Sequence, residues 1–202
     1  DIEHVINKGE VIKRSQLISR NSELPVRGLP CNKLASTSVP ASKVIDDFSE
    51  KLNWQSISDS MMGGNSEASI LLENQQLVVN STLGHPASFG AWAGAQLSFS
   101  APRDASKFKG IEIKYQSSSE PIGLSLYHEN VKDWDHFSTT LTPSEKWQTI
   151  QIPFSQLKQF GFGNTVEWGA DKLVGLNFVW RRFEKDNTKP SNFIKLANIS
   201  FY

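Results

Sequence analysis

The chain has a single cysteine, Cys31, among 202 residues, so no internal disulfide is available and a disulfide scaffold is excluded. It has no surplus of either charge, because 21 Lys and Arg balance 21 Asp and Glu. Proteins that follow a nucleic-acid backbone gain most of their affinity by neutralising phosphates, so this balance argues against a nucleic-acid partner. No apolar run approaches the roughly 20 residues that a bilayer-spanning helix needs, and no membrane span is expected. The opening DIEHVINKGE has no basic-then-apolar leader pattern and no initiating Met, which points to an excised fragment or a processed product.

Catalytic motifs are missing as well. His4, His85, His128 and His136 fall in no HExxH or HxH pattern, and one cysteine cannot form a CxxC zinc site. There is no GxSxG elbow and no Gly-rich phosphate loop between a strand and a helix. His136, close to Asp133 and Asp135, is the one partial candidate for a base, and a lone His beside carboxylates is more often a structural pair. No catalytic residue and no cofactor are expected. A structural calcium ion on the oxygens of Asp133 and Asp135 is the one metal reading, against the commoner solvated loop carboxylate.

What the chain does have is aromatic bulk of a particular kind: six Trp and twelve Phe against three Tyr and two Met. Aromatics favour strands, and exposed ones bind flat or ring-shaped ligands. From residue 44 onward, short alternating strands are separated by turn residues: SEASILL, QQLVVNSTL, GIEIKYQSS, IGLSLYHEN, WQTIQIPF, LVGLNFVWRR and FIKLANISFY. In the WQTIQIPF strand, Ile150, Ile152 and Phe154 share the core phase. A short helix or turn is expected over 154–160, after Pro153. This spacing, with almost no helical period, predicts an all-β fold, an antiparallel β-sandwich. Residues 44–202 form this domain. Residues 21–43, rich in Pro, Ser and Asn, read as a linker or surface-strapped segment. Residues 1–20 read as a terminal hairpin, with strands EHVIN and VIK about a KGE turn, then polar helix or coil.

The most distinctive string is Asp59-Ser60-Met61-Met62-Gly63-Gly64-Asn65-Ser66, shortly after Asp46-Asp47-Phe48 and Asn53-Trp54. Its paired glycines suit a tight turn or bulge better than a phosphate loop. This arrangement resembles the complex I intermediate-associated protein 30 domain, with its D-x-x-M-G-G-x-S signature. The Asp-Asp-Phe strand and Asn-Trp pair are also similar to the opening of family 11 carbohydrate-binding modules. The strand around Trp147-Gln148-Thr149-Ile150-Gln151-Ile152-Pro153-Phe154-Ser155 resembles one found in both groups, and Phe193–Ile199 resembles their last strand. The resemblance covers residues 44–202 and implies a galactose-binding-like jelly roll. Residues 1–14 resemble the final hairpin of metal-dependent amidohydrolases, which would make this the C-terminal piece of a larger bacterial-type hydrolase whose metal ligands lie elsewhere.

The resemblance to carbohydrate-binding modules implies a face of aromatics with nearby charges. Its counterparts here are Trp92, Asp133, Trp134, His136, Phe137, Trp180 and Arg181. Flat rings pack on the C–H side of a sugar while charged groups hold its hydroxyls. Trp54 and Trp147 lie in motif strands, where a packed indole is expected. Trp92, among Gly90, Ala91, Ala93 and Gly94, is open to either role, and Trp134 between two aspartates favours contact. Arg181-Arg182 reads first as a solvated strand end, with carboxylate or phosphate binding the alternative. The expected function is a non-catalytic module for a polysaccharide or oligosaccharide, in a periplasmic or secreted setting. The Met-Gly-Gly signature favours the alternative, an assembly domain that grips a partner protein or its own catalytic domain. Where Trp92, Phe137 and Trp180 lie discriminates the two: a groove lined by them favours sugar, and burial in the core favours a protein partner.

Overall fold

The computed structural model describes residues 4–7, 10–13, 37–50, 53–86, 90–184 and 188–202. It divides into two units, Asp1–Ala35 and Ser36–Tyr202. In the first, β1 (His4–Asn7) and β2 (Glu10–Lys13) pair antiparallel with His4 opposite Lys13, the hairpin that the sequence pattern predicts. The polar helix or coil expected after it, and most of the 21–43 segment, lie outside the described residues.

The second unit is a two-sheet sandwich. Its strands are β3 (Val39–Pro40), β4 (Val44–Asp46), β5 (Trp54–Ser58), β6 (Glu67–Glu73), β7 (Gln76–Thr82), β8 (Ala91–Asp104) and β9 (Gly110–Ser117). They continue with β10 (Ile122–His128), β11 (Phe137–Leu141), β12 (Gln148–Pro153), β13 (Leu173–Arg182) and β14 (Ser191–Phe201). The front sheet runs β11-β10-β13-β8, with β5 and β3 both on β8; the back sheet runs β12-β9-β14-β7-β6, with β4 on β14. Among the described residues, all pairings are antiparallel except the short β3–β8 contact. The expected all-β antiparallel sandwich of jelly-roll type is therefore the observed fold. Pairing begins upstream of residue 44: Val39–Pro40 lies along Arg103 and Asp104, and Ala41 is buried. A two-residue parallel contact has no alternation to announce it in sequence.

Strand alternation builds the core between the sheets. Ile111, Ile113 and Tyr115 of β9 meet Leu176, Phe178 and Trp180 of β13, each buried, with Leu124 and Leu126 of β10 beside them. Ile152 and Phe154 are buried and Ile150 is partly buried against them, as their shared phase predicts. A short 3-10 turn over Phe154–Gln156 follows Pro153. Trp147 corrects the expectation of a packed indole: it is 39 % exposed, because it precedes β12 in the opposite phase.

Two buried carboxylates at the ends of β5 join the sheets. Asp46, in β4 of the back sheet, accepts the Trp54 indole N–H at 2.7 Å and the Phe48 amide at 2.7 Å. Trp54, in β5 of the front sheet, then stacks on Phe178, and Phe48 packs against it. Burial raises the Asp46 pKa above the ordinary carboxylate value, against the lowering effect of these hydrogen bonds. At the other end, Asp59 accepts Ser66 N–H at 2.9 Å, Ser66 Oγ–H at 2.7 Å and Trp92 N–H at 3.1 Å. Ser66 Oγ in turn accepts Gly84 N–H at 3.0 Å.

The D-x-x-M-G-G-x-S string is therefore a clamp. Residues Asp59–Met62 form a 3-10 turn ended by Gly63 at φ 82°, a left-handed conformation suited to glycine. A Cβ on Gly64 would lie 2.2 Å from Asp59 Oδ1, so only glycine leaves the carboxylate in place. The paired glycines serve a turn, as expected. Asp59→Ala leaves two backbone N–H groups and a hydroxyl without their acceptor, and should cost about 3 kcal/mol in urea denaturation; Ser66→Ala should cost about 1 kcal/mol.

Candidate functional site

The outer face of the front sheet carries the polar alternates of its strands. Register places Ser138, Ser125, Asn177, Gln96 and Gln55 in one row across β11, β10, β13, β8 and β5. Hydrogen bonds join their side chains in two groups, Ser138 with Ser125 and Asn177 with Gln96 and Gln55 through Tyr127. Ser138 Oγ–H donates to Ser125 Oγ at 2.9 Å, Asn177 Nδ2 donates to Tyr127 Oη at 2.8 Å, and Tyr127 Oη–H reaches Gln96 Oε1 at 3.4 Å. Gln96 Nε2 continues to Gln55 Oε1 at 3.3 Å. Asn177 is buried, and its Oδ1 has no hydrogen-bond partner among the described residues.

Tyr127 and His136 form the aromatic part of this face. The Tyr127 ring crosses β13 at Gly175, where a Cβ would lie 3.2 Å from its Cδ2. His136 stacks on it with ring centroids 4.2 Å apart. Burial, helped by the Arg181 cation, lowers the His136 pKa to about 4, while Asp133 and Asp135 pull the other way. Burial pushes the Tyr127 phenol up to about 12. At neutral pH this face thus holds a neutral imidazole and a neutral phenol, able to donate and accept hydrogen bonds. Arg181 lies over the Phe160 ring at 5.6 Å, a cation–π contact.

A loop over residues 159–164 borders the face, and two aspartates hold it. Asp135 is buried and accepts the amides of Phe160 at 2.7 Å, Gly161 at 2.8 Å and Gly163 at 3.2 Å. Asp133 accepts the Asn164 amide at 2.6 Å and its Nδ2 at 2.9 Å, and these bonds lower its pKa. Trp134, between them, has φ 70° and is 77 % exposed. Phe160 and Phe162 stack with centroids 6.5 Å apart and are 66 % and 68 % exposed. The acidic pair is thus engaged by backbone donors. Among the described residues no group of three or more His, Cys, Asp and Glu could hold a metal ion.

The structure brings Trp92, His136 and Arg181 to the outer face, with Asp133 and Trp134 at its border. It does not bring Phe137 or Trp180 there. Both point inward: Phe137 is 5 % exposed against Trp168 and His128, and Trp180 is 1 % exposed. Their neighbours in sequence, His136 and Arg181, take the outward phase, as a period of two requires. A groove lined by Trp92, Phe137 and Trp180, the arrangement that would favour a sugar over a protein partner, is therefore not formed. Sequence reasoning missed Tyr127, Asn177, Gln96, Phe160 and Phe162. The outward alternation of IGLSLYH and LVGLNFV held the signal for the first two.

A pH dependence follows from His136. Its folded pKa lies below the ordinary 6.5, so its contribution to stability is complete above pH 6.5 and is lost as pH falls toward about 4. The His136 ring protons should titrate near pH 4 by NMR, and His136→Phe should remove part of the acid destabilisation across that interval. A ring that titrates near 6.5 would contradict the packing described.

The family model for complex I intermediate-associated protein 30 matches residues 45–185. The range begins at Ile45, so the amidohydrolase resemblance of residues 1–14 rests on its own short motif. Among solved structures, a family 11 carbohydrate-binding module from Clostridium thermocellum, in complex with a β-1,3-1,4-mixed-linked tetrasaccharide, is 23 % identical with a TM-score of 0.61. The match covers 81 % of this chain and 96 % of that one. The family 11 module of the cellulosomal cellulase Lic26A-Cel5E from the same organism is 23 % identical with a TM-score of 0.56, covering 80 % and 96 %. An agarase, AgWH50C, is 11 % identical with a TM-score of 0.52, covering 79 % of this chain and 26 % of that one. At these identities the likeness is one of fold. No curated protein sequence matches. With the family model spanning most of the sandwich and its signature residues forming the Asp59 clamp, the chain belongs to the complex I intermediate-associated protein 30 family.

Proposed function

We propose that the sandwich is a non-catalytic carbohydrate-binding module whose ligand lies across the strands on the outer face of the front sheet. The observation that carries this reading is the polar row of Ser138, Ser125, Asn177, Gln96 and Gln55, aligned by strand register across five strands. Five neighbouring strands span roughly 19 Å, the length of a short extended oligosaccharide. Hydroxyls and amides both donate and accept, which matches sugar hydroxyls. Trp92 and Tyr127 supply rings, and Arg181 supplies a cation that can bind paired hydroxyls. The architecture is that of the family 11 modules, one of which holds a mixed-linked tetrasaccharide.

Calorimetric titration against mixed-linked β-glucan tetrasaccharide, cellotetraose and agaro-oligosaccharides tests the reading. Binding to at least one is expected, with Arg181→Ala and Gln96→Ala each weakening it at least about tenfold. Absence of heat with every glycan, or binding indifferent to both changes and to Trp92→Ala, would overturn it.

A second reading is favoured by the burial of Phe137 and Trp180 and by the exposed trio Trp134, Phe160 and Phe162. Exposed aromatics on a border held rigid by Asp133 and Asp135 suit a protein partner, including a catalytic domain on the same chain. In that case the glycan titrations are silent, while Phe160→Ser with Phe162→Ser changes association in sedimentation velocity of the full chain.

A further inference from the structure

The outer face of the front sheet carries charge of one sign. Level with Gly175–Arg181, the residues in the outward phase of β11, β10, β13, β8 and β5 include no Asp or Glu. Arg181 lies there, and Lys158 joins it from beyond β11. Lys158 sits directly opposite Ser138, its N–H donating to Ser138 O at 3.0 Å and its carbonyl accepting Ser138 N–H at 2.9 Å. Opposed residues of an antiparallel pair point to the same side, so Lys158 extends the polar row that ends at Ser138. Its side chain is exposed.

Neither cation is neutralised within the face. Among the described residues, neither the Arg181 guanidinium nor the Lys158 ammonium pairs with a carboxylate; Arg181 has its ring contact with Phe160 at 5.6 Å. Glu120 and Glu184 line a hollow with Arg181 at the end of the sheet, and neither pairs with it. The border carboxylates are engaged elsewhere: Asp135 holds the amides of Phe160, Gly161 and Gly163, and Asp133 holds Asn164. His136 and Tyr127 are both neutral at neutral pH and supply no balancing charge. A lone exposed cation is ordinary. Two of one sign on a face without an acid are a departure in a chain whose charges sum to zero. Positive potential over a surface of hydroxyls and amides favours a ligand that has both hydroxyls and negative groups. A guanidinium binds such groups through paired, charge-assisted hydrogen bonds, and an ammonium binds them as a point charge.

We propose that the ligand of the outer face is an acidic glycan, one whose sugar units carry carboxylate or sulfate groups that reach Arg181 and Lys158. This rests on the carbohydrate-binding reading and narrows its ligand. Calorimetric titration of the whole chain against matched neutral and acidic pairs tests it. Cellotetraose against a β-1,4-glucuronan tetramer reports on carboxylate, and agarotetraose against a sulfated carrageenan tetrasaccharide reports on sulfate. The acidic member of at least one pair should bind at least about tenfold more tightly than its neutral partner. That preference should shrink severalfold between about 0.05 M and about 0.5 M salt, because exposed charges are screened. It should fall toward parity when Lys158→Gln and Arg181→Gln are combined. Both positions are exposed and keep a hydrogen-bonding side chain, so thermal unfolding should match the parent, and the salt series needs no variant at all. Equal or tighter binding of the neutral member in both pairs would overturn the proposal and leave the carbohydrate-binding reading standing. So would an acidic preference that survives the combined substitutions. Silence with all four glycans would end both.

Discussion

The buried carboxylate of Asp59 is the interaction on which the most other features depend. It gathers the amide of Ser66 at the start of one back-sheet strand and the amide of Trp92 at the start of the long front-sheet strand. Through Ser66 Oγ it also reaches Gly84, just beyond β7. A charged acceptor satisfied by three donors in a dry site is strong and geometrically demanding. It fixes where β8 enters the front sheet, and with it which β8 residues face outward. Asp46 performs the matching task at the other end of β5 through the Trp54 indole. These two anchors bracket β5 and hold it beside β8, the pair that places Gln55 opposite Gln96.

The same device recurs at the border of the outer face. Asp135 gathers three amides of the 159–164 loop as Asp59 gathers its donors. A loop so tied presents Phe160 and Phe162 in a fixed arrangement, and Phe160 meets Arg181 above the sheet. Holding exposed aromatics rigid lowers the entropy lost on binding, whatever the partner. Local strain accompanies this: Trp134 takes a left-handed backbone conformation between the two aspartates, uncommon for a bulky residue.

Much of the fold is legible along the chain. Alternation in GIEIKYQSS and LVGLNFVWRR locates strands and their buried phase, because a strand's side chains change face at every residue. The Gly63-Gly64 pair marks its turn, and Asp46 with Trp54 marks a family opening whose physical reason, an indole-to-carboxylate bond between sheets, emerges only in three dimensions. The aromatic content misled where phase was ignored. Phe137 and Trp180 sit one residue away from the outward His136 and Arg181, and a one-residue step reverses burial. Trp147 failed in the opposite direction, exposed where its motif suggested packing.

By itself the sequence determined the class of fold, the absence of disulfides and the turn signature that marks the family, since these rest on local pattern and composition. Only the tertiary structure decided which groups share a surface. Gln55, Gln96, Ser125, Ser138 and Asn177 are spread over more than half of the sandwich, and no spacing along the chain connects them. Strand register joins them in one row because antiparallel pairing aligns residues by the order of strands in the sheet, β11-β10-β13-β8-β5, rather than by their order in the chain.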